Sequence, residues 1–359
     1  MGYEIDFLPV GNGERSGDAI ALRFGNLLAN PPQQTVVVVD GGYTESGVSL
    51  VEHIKRLYKT ERVDVVVSTH PDADHSAGLA VVLEKLQVGQ LWMHQPWNHT
   101  DDIARMFKNE RVTDESVTAA IRESLDSARD LERIAQRRGI PIVEPFTGLT
   151  DATGNVVVVG PDQTFYESLL PGYRCTPEPA AKGFWAEAVQ LVQEAIRKVA
   201  ERWDIETLTD EGETSAENNS SAIVLVQCAP GRFALLTGDA GIPALTRTAD
   251  YLASRRFDLS KLSFIQVPHH GSQRNVGPTI LNRLVGPKLG TETVIKTAFV
   301  SAGKDGDPKH PAKKVMNAFR RRGAPVHATQ GTPKYHYSDS PDRGWVASVT
   351  LPFYNEVED

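Results

Sequence analysis

The sequence predicts an α/β protein in which two β-sheets pack face to face with helices on their outer sides, an αββα four-layer sandwich. Segments typical of strands occur in two batches along the chain, and each batch is accompanied by segments with helical spacing. Thr35–Val39 and Val63–Ser68 are nearly continuous apolar runs, as expected of strands buried on both faces. A doubly wound sheet would give the same periodicity, so the choice between the two architectures depends on motifs.

The first batch of elements comes before residue 160. Its predicted strands are Ile5–Val10, Ala19–Phe24, Thr35–Val39, Val63–Ser68, Ile142–Val143 and Asn155–Val159. One helix is predicted at Val48–Lys59, and another after residue 75, where apolar residues recur at helical spacing: Leu79, Val82, Leu83 and Leu86. The charged residues from about 98 to 139 are predicted to be helix-rich.

The second batch follows a second polar insertion. Within that insertion, Phe184–Arg202 has the pattern of an amphipathic helix, and the acidic segment Thr207–Asn219 is predicted to be a mobile loop. The later predicted strands are Ala222–Gln227, Phe233–Thr237, Ser263–Val267, Thr297–Ser301, Pro325–Ala328 and Val346–Pro352. With no repeat and no long linker, we expect a single domain over residues 1–359, with helical insertions at about 98–140 and 162–217.

Composition limits the location of the protein. No stretch approaches the ~18–20 uninterrupted apolar residues that a membrane span needs, and the first residues lack the basic and apolar regions of an export signal. Cys175 and Cys228 are the only cysteines, too few for a disulfide framework. We therefore expect a cytoplasmic protein with no membrane association.

Charge limits the partners. The formal net charge of −8 argues against broad electrostatic capture of duplex nucleic acid, although bound metal ions would add positive charge locally. One basic cluster extends from Lys309 to Arg322, and its pattern predicts the solvated face of an amphipathic helix. A nucleic-acid substrate is therefore not excluded.

The strongest chemical signal follows the apolar strand that ends at Ser68. Within six residues the chain presents two imidazoles and two carboxylates as potential metal ligands: His70, Asp72, Asp74 and His75. Pro71 and Ala73 favour a tight turn in which these side chains converge. Imidazole and carboxylate suit Zn²⁺ and Mn²⁺, so the motif predicts a site for divalent metal.

This run resembles the HxHxDH signature of the metallo-β-lactamase superfamily, with Asp72 in place of the middle histidine. Its HxDxDH form is similar to the nuclease-like domain of the DNA-uptake ComEC family. Further segments carry the same resemblance: Phe7–Gly13 with Gly17–Ile20, Val39–Gly42, Asn218–Ser221, Leu235–Asp239, Val267–Ser272, Val300–Gly303 and His310–Pro311. The resemblance extends from residue 5 to about 330 and implies the αββα fold, leaving the helical insertions unaccounted for.

The resemblance also implies roles for individual residues. It places His70, Asp72 and Asp239 at a first metal site, and Asp74, His75, Asp239 and His269 at a second, with Asp239 bridging two ions. His269 is the preferred ligand of the adjacent histidine pair, with His270 beside the substrate. Residues expected to support the ligands or to contact substrate are Asp40, Asn219, Ser221, Ser272, Lys304 and His310.

One expected ligand is missing. The superfamily has a further histidine in the strand that corresponds to 155–161, and this strand carries none. His94 and His99 come too early in the chain to be good replacements. The resulting ligand set is richer in carboxylates than a typical zinc site, so we expect one or two divalent ions per chain, either Zn or Mn.

The resemblance implies a metal-dependent hydrolase, most directly a phosphodiesterase or nuclease that uses metal-activated water. Asp74 would orient that water, and His270 or His310 would protonate the leaving oxygen. Two alternatives stay open. One is hydrolysis of a small phosphoester such as a choline phosphate, or of a lactone or thioester; the other is a non-catalytic, metal-stabilised module whose helical insertions bind a partner protein.

Overall fold

The computed structural model describes residues 1–11, 15–107, 111–176, 198–305 and 310–358. Two large sheets are present in these residues. The first has seven strands: β1 (Gly2–Phe7), β2 (Ala19–Asn26), β3 (Gln33–Gly41), β4 (Arg62–Val67), β5 (Gln87–Trp92), β6 (Ile142–Val143) and β14 (Lys334–Ser338). Their order is β14-β1-β2-β3-β4-β5-β6, with β3 to β6 parallel and the remaining pairs antiparallel.

The second sheet has six strands, in the order β13-β12-β11-β10-β9-β7. They are β7 (Val156–Gly160), β9 (Ile223–Ala229), β10 (Arg232–Leu236), β11 (Leu262–Gln266), β12 (Thr297–Val300) and β13 (Val326–Ala328). Strands β10 to β13 are parallel, and β9 is antiparallel to both of its neighbours. A small separate ribbon pairs β8 (Lys198–Ala200) with β15 (Glu356–Glu358).

Nine α-helices accompany these strands in the described part of the chain: α1 (Thr44–His53), α2 (Ala73–Lys85), α3 (Asp114–Ser124), α4 (Asp126–Arg138), α5 (Gln163–Leu169), α6 (Ala216–Asn219), α7 (Ile242–Ser254), α8 (Pro278–Leu284) and α9 (Lys313–Arg321). Within the described residues, no helix has both the length and the apolar composition needed to cross a bilayer. Helices α3 and α4 confirm the predicted helical character of the insertion that begins near residue 98.

The two sheets pack face to face because their central strands are apolar on both sides. In β3, Val37 and Val39 point into the layer between the sheets, whereas Val36 and Val38 face the helices. In β9, Val224 likewise belongs to the inter-sheet layer. Since successive side chains of a strand point to opposite faces, such a strand supplies two cores at once. The predicted αββα sandwich is confirmed.

Close backbone packing fixes α2, the helix that follows the first motif. Gly78 lies against the end of β3, where a Cβ atom would stand only 1.9 Å from the carbonyl oxygen of Gly41. The amide of Gly78 also donates a hydrogen bond to the carbonyl oxygen of Gly42 at 2.8 Å. Glycine therefore allows α2 to approach β3 more closely than any side chain would permit, and this sets the position of the first turn of α2.

The carboxyl ends of the parallel strands of both sheets meet at one edge of the sandwich. The amide of Ala222, before β9, donates to the carbonyl oxygen of Thr69, after β4, at 2.8 Å and so joins the two sheets there. Loops that follow β3, β4, β10, β11 and β12 all lie at this edge. In α/β folds, ligands bind at the carboxyl ends of strands, so this edge is the expected place for a site.

Three predictions about elements were wrong in whole or in part. A helix was predicted at Phe184–Arg202, of which residues 184–197 lie outside the described part of the chain. Within the described remainder, Lys198–Ala200 forms strand β8, because its backbone pairs with β15. Val346–Pro352 forms no strand, whereas Lys334–Ser338, for which no strand was predicted, forms β14 and pairs with β1. The predicted loop Thr207–Asn219 is a loop as far as Ser215, but its last four residues form the buried helix α6.

The described part of the basic cluster, residues 310–322, is also not simply a solvated face, and Lys309 lies outside the described residues. Arg321 and Arg322, at the end of α9, are 0% and 1% exposed. Arg322 makes a bidentate ion pair with Glu206, at 2.6 and 3.1 Å, and Arg321 lies 3.4 Å from Glu201. Buried charges persist when they are paired in this way. These guanidinium groups tie α9 to the chain after β8 and are not available to a nucleic acid.

Candidate metal centre

The four groups of the first motif are positioned by the junction between β4 and α2. His70 follows β4, Asp72 is the residue before the first turn of α2, and Asp74 and His75 lie within that turn. His70 and His75 are buried, and the side chains of Asp72 and Asp74 are partly exposed, at 24% and 29%. The motif thus presents two buried rings beneath two accessible carboxylates.

The second sheet supplies the opposite side of the centre. Asp239 follows β10 and is 3% exposed, and the pair His269–His270 follows β11. Both histidines have left-handed backbones, with φ of 47° and 54°. A non-glycine residue pays a steric cost in this region, and such conformations cluster at functional sites. The strained turn points the two rings in different directions.

The hydrogen-bond partner of Nδ1 in each histidine ring determines whether Nε2 is available to bind a metal. The Nδ1 atom of His75 donates to Asp40 at 2.8 Å, that of His270 to the carbonyl oxygen of Ser301 at 3.2 Å, and that of His269 to Asn275 at 2.9 Å. The Nδ1 atom of His70 lies 3.1 Å from the Thr69 hydroxyl. With Nδ1 holding the proton in the neutral rings of His70, His75 and His270, their Nε2 atoms retain a lone pair for a metal, whereas the His269 ring also lies 3.2 and 3.5 Å from the side-chain amide nitrogen of Asn218.

The Nε2 atoms of the four rings converge on two carboxylates. Asp239 lies 3.4 Å from Nε2 of His75, 3.8 Å from that of His70 and 3.5 Å from that of His269. Asp74 lies 3.8 Å from Nε2 of both His75 and His270.

The convergence leaves buried polar atoms without partners. Among the described residues, Nε2 of His70, His75 and His270 and Oδ1 of Asp239 are buried and make no hydrogen bond. Leaving such groups unsatisfied costs about 1–3 kcal/mol each. Three overlapping groups have the spacing of metal ligands, and two of them include free Nε2 atoms: His70, His75 and Asp239, and Asp74, His75 and His270. The third, Asp18, Asp40 and His75, lies around the Nδ1 atom of His75, which already has Asp40 as its partner. The donor set therefore fits a divalent cation.

A model of the metallo-β-lactamase superfamily matches residues 27–284, which is more than half of the chain. The chain belongs to the metallo-β-lactamase superfamily. Its members are generally metal-dependent hydrolases, which agrees with the donor set described above.

Individual relatives are more distant. The ComE operon protein 3 of Bacillus subtilis is 30% identical over 134 residues, which are 37% of this chain and only 16% of that relative. A Thermotoga maritima protein classed as a metallo-β-lactamase shares 12% identity with a TM-score of 0.34, over 72% of this chain and 86% of its own. A variant of the β-hydroxylase CmlA shares 11% identity with a TM-score of 0.42, over 93% and 53%.

Within this metallo-β-lactamase centre, the carboxylates and imidazoles shift one another's pKa values. Burial raises the pKa of Asp239, but the imidazoles of His269 and His75 outweigh burial and hold that pKa well below its ordinary value. Burial lowers the pKa of His75, and the carboxylates of Asp239, Asp74 and Asp40 reverse the effect and raise it. The carboxylates that favour a proton on His75 would also favour a divalent cation beside it.

The distances bear on the choice between the paired histidines. The sequence favours His269 as the ligand of the second site, yet it is His270 that lies beside Asp74 and His75. His270 is buried, whereas the side chain of His269 is 31% exposed and faces the Asp239 oxygen on the His70 side. The geometry therefore favours His270 at the second site and leaves His269 beside the first.

Asp72 lies apart from both clusters. It is 3.9 Å from Nε2 of His70, but both of its oxygens accept hydrogen bonds from Arg174, at 2.7 and 2.8 Å. Arg174 is held in turn by Glu217, which accepts from its Nε at 3.1 Å. The superfamily resemblance implies Asp72 as a ligand, and here its charge is neutralised by a guanidinium from the second insertion.

The other predicted residues occupy varied places. Ser221 accepts a hydrogen bond from the amide of Asp239 at 3.2 Å, and the ring of His310 stacks on that of His269 with centroids 6.1 Å apart. The amide group of Asn219 donates to the carbonyl oxygens of Thr214 and Ser215, so it organises the loop before β9. Ser272 is buried beside the histidine pair. Lys304 is exposed on the loop after β12.

His94 and His99 lie outside the clusters. His94 is fully enclosed and stacks on Tyr166 with centroids 4.3 Å apart, and burial lowers its pKa to about 3. His99 is held between two carboxylates, Glu144 at 2.8 Å and Glu167 at 3.0 Å. Neither ring belongs to either metal-ligand cluster, which agrees with their early position in the chain.

Three supporting residues were not identified from the sequence. Asp18 accepts from the Ser301 hydroxyl and from Gln266 at 2.8 Å, and its carboxylate lies 3.8 Å from Nδ1 of His75. Asn275 connects the His269 ring to the backbone of Asp239, whose carbonyl oxygen accepts its amide at 2.7 Å. Arg174 is the third. Only Asp18 has a sequence signal, its Gly-Asp pair directly before a strand.

Substitution of Asp40 tests how far metal binding depends on the hydrogen bonds that orient the ligand His75. Its two oxygens accept from His75, from the Thr69 amide at 2.8 Å and from the Thr69 hydroxyl at 2.7 Å. In Asp40→Asn one oxygen becomes a donor that opposes another donor, so we expect metal affinity to fall by roughly 10–100-fold. Competition titration with a metal-binding dye measures this change.

The matched control is Asp64→Asn. Asp64 also bridges β3 and β4, since it accepts from the Val36 amide at 2.9 Å, but it lies towards the opposite edge of the sheet. Its substitution should leave metal affinity within about twofold of the wild type. Equal affinities for Asp40→Asn and the wild type would show that Asp40 does not orient a ligand.

Proposed function

We propose that this protein is a metal-dependent phosphodiesterase of the ComEC-like type, acting on nucleic acid. The observation that carries the proposal is the convergence of unpartnered His Nε2 atoms on Asp239 and Asp74. Metal binding and hydrolysis follow from the superfamily. The choice of a phosphodiester rests on the HxDxDH run and the His269–Ser272 motif, which resemble the nuclease-like ComEC domain.

Two sets of side chains would hold the ions. Asp74, His75, His270 and one oxygen of Asp239 would form the better-enclosed site. His70, His269 and the other oxygen of Asp239 would form the second, with His269 in the role of the histidine that is missing after β7. Two carboxylates and four imidazoles suit Zn²⁺ or Mn²⁺.

A divalent ion in this centre would lower the pKa of an attacking water and neutralise charge on the phosphoryl oxygens. The chain's own residues would supply the remaining steps. Asp74, which is partly exposed, would accept a hydrogen bond from the water and orient it. His310, whose ring stacks on that of His269, would donate a proton to the leaving oxygen, since imidazole titrates near neutral pH.

Arg174 would offset the negative charges of Asp72 and of the substrate phosphate. Its side chain is 63% exposed, and one edge of the guanidinium is committed to Asp72 and Glu217. Arginine is well suited to phosphate because its planar donors match the oxygens. Placed at the mouth of the centre, Arg174 would contact a non-bridging oxygen of the substrate while it keeps Asp72 neutralised.

A substrate panel tests the proposal. The protein is loaded with Mn²⁺ or Zn²⁺ and assayed with bis-p-nitrophenyl phosphate, p-nitrophenylphosphocholine, a lactone and a thioester. We expect the first to be hydrolysed with the highest kcat/KM, and single-stranded oligonucleotides to be cleaved as well. Efficient hydrolysis of p-nitrophenylphosphocholine, the lactone or the thioester, with no cleavage of bis-p-nitrophenyl phosphate or of oligonucleotides, would contradict the proposal and support a small-molecule enzyme.

A fully metal-loaded protein that hydrolyses none of these would contradict both enzymatic functions. It would support a metal-stabilised binding module that uses its helical insertions to contact a partner. The Asp239→Asn variant, measured in parallel, controls for activity from contaminating hydrolases.

A further inference from the structure

A groove beside the metal centre lies between the start of α1 and the loops that follow β1, β12 and β13. It has a volume of about 850 Å³. Ala77 lines it, and this residue lies one turn after Asp74 on α2. On the other side, Gly17 packs against the carbonyl oxygen of Asp74, where a Cβ atom would stand at 2.3 Å. The groove therefore shares helix α2 with the metal centre, through Ala77 on one side and Asp74 on the other.

Two cations border this groove. Arg15 comes from the chain after β1, and Lys304 comes from the loop after β12; both are exposed. The stem of Lys304 lies on Gly331, where a Cβ atom would meet its Cγ at 2.8 Å. Gly331 has a φ of 79°, a conformation that favours glycine. Because Gly331 has no side chain, the aliphatic part of Lys304 packs directly on its backbone, which defines the position of the lysine.

An aromatic ring lies between the cations and α1. The guanidinium of Arg15 is 5.9 Å from the centroid of the Tyr43 ring. Tyr43 is the residue before the first turn of α1, and that turn lines the groove, so the positive end of the helix dipole lies there. Glu45 is the only carboxylate among the described lining residues. The groove thus combines positive charge with a planar ring in an otherwise acidic protein.

We infer that this groove binds single-stranded nucleic acid, with phosphates on Arg15 and Lys304 and a base stacked on Tyr43. Cationic grooves with aromatic platforms bind single strands in this way, because stacking tolerates any base. A net charge of −8 disfavours a duplex, which needs a broad positive surface. The inference rests on the proposed function, since it extends the substrate from one phosphodiester to a strand.

Fluorescence anisotropy with labelled (dT)12 and (rU)12, without added metal, tests the groove separately from catalysis. The double variant Arg15→Ala/Lys304→Ala should raise the Kd about tenfold and reduce the salt slope of binding by about 1.4, the value for two lost phosphate contacts. The control, Lys55→Ala/Arg62→Ala, removes the same charge from residues that pair with Glu61 and Asp64 instead. It should leave the Kd within about twofold of the wild type.

Tyr43→Leu keeps the bulk of the side chain and removes the ring, so it should weaken binding of both strands by about tenfold. Equal effects of the groove and control pairs, or tighter binding of a 12-base-pair duplex than of (dT)12, would overturn the inference. The wild-type assay with bis-p-nitrophenyl phosphate separates the two failures. If that substrate is cleaved and the strand binds elsewhere, only the groove is wrong; if it is not cleaved, the proposed function fails.

Discussion

Asp239→Asn should abolish hydrolysis and lower metal affinity by far more than substitution of any supporting residue. Its two oxygens face His75 on one side and His70 and His269 on the other, and the carboxylate is 3% exposed. Asparagine has nearly the same shape but lacks the charge and one acceptor oxygen. We expect affinity to fall by more than the roughly 100-fold upper value for an outer partner such as Asp40.

Isothermal titration with Mn²⁺ and steady-state kinetics with bis-p-nitrophenyl phosphate measure both effects. The matched control is Asp151→Asn, a carboxylate that is 6% exposed in the turn before β7, at the opposite edge of the sheet. It should bind metal like the wild type. If Asp239→Asn retained wild-type affinity and activity, the centre described here would not be where the metal binds.

Phe264→Ala should destabilise the protein by about 3–5 kcal/mol, a large part of the 5–15 kcal/mol typical of folded domains. Phe264 is 0% exposed and lies in the layer between the two sheets. Its ring contacts Phe299, with centroids 5.1 Å apart at 81°, and Phe7 at 5.8 Å. Truncation would leave a cavity between sheets that cannot collapse, because both are held by their own strand ladders.

Urea denaturation of both proteins measures the loss as a shift in the free energy of unfolding. Phe233→Ala on the neighbouring strand β10 is the control, since this ring is only half-buried and packs on Phe257 on the helix side. We expect its cost to be less than half as large. Similar costs for both variants would contradict the assignment of Phe264 to a layer sealed between the sheets.

The central strands were predictable because burial on both faces leaves a visible mark. The valines of β3 and β4 form continuous apolar runs that few other environments require. The strands at the edges of the sheets have no such apolar run in the sequence. β14 is a short polar strand, Lys334–Ser338, whose place is fixed by pairing with β1 more than 300 residues away, with Ile5 opposite His336. Sequence periodicity cannot show a partner at that distance.

The site divides in the same way. The His70–His75 run is local, so its convergence follows from one turn between β4 and α2. The contact between Arg174 and Asp72 joins residues 102 positions apart, and that between Ser301 and Asp18 joins residues 283 apart. The orientation of His269 and His270 depends on two left-handed backbone conformations. Two adjacent histidines carry no sign in the sequence of which ring turns towards Asp74.

The most direct test of the central claim is the metal content of the protein, purified without chelator and measured by elemental analysis beside Asp239→Asn. We predict one or two equivalents of Zn or Mn per chain in the wild type and a large loss in the variant, with phosphodiesterase activity following the metal. A well-folded wild-type protein that contains no metal, and takes up none when Zn²⁺ or Mn²⁺ is added, would contradict the account.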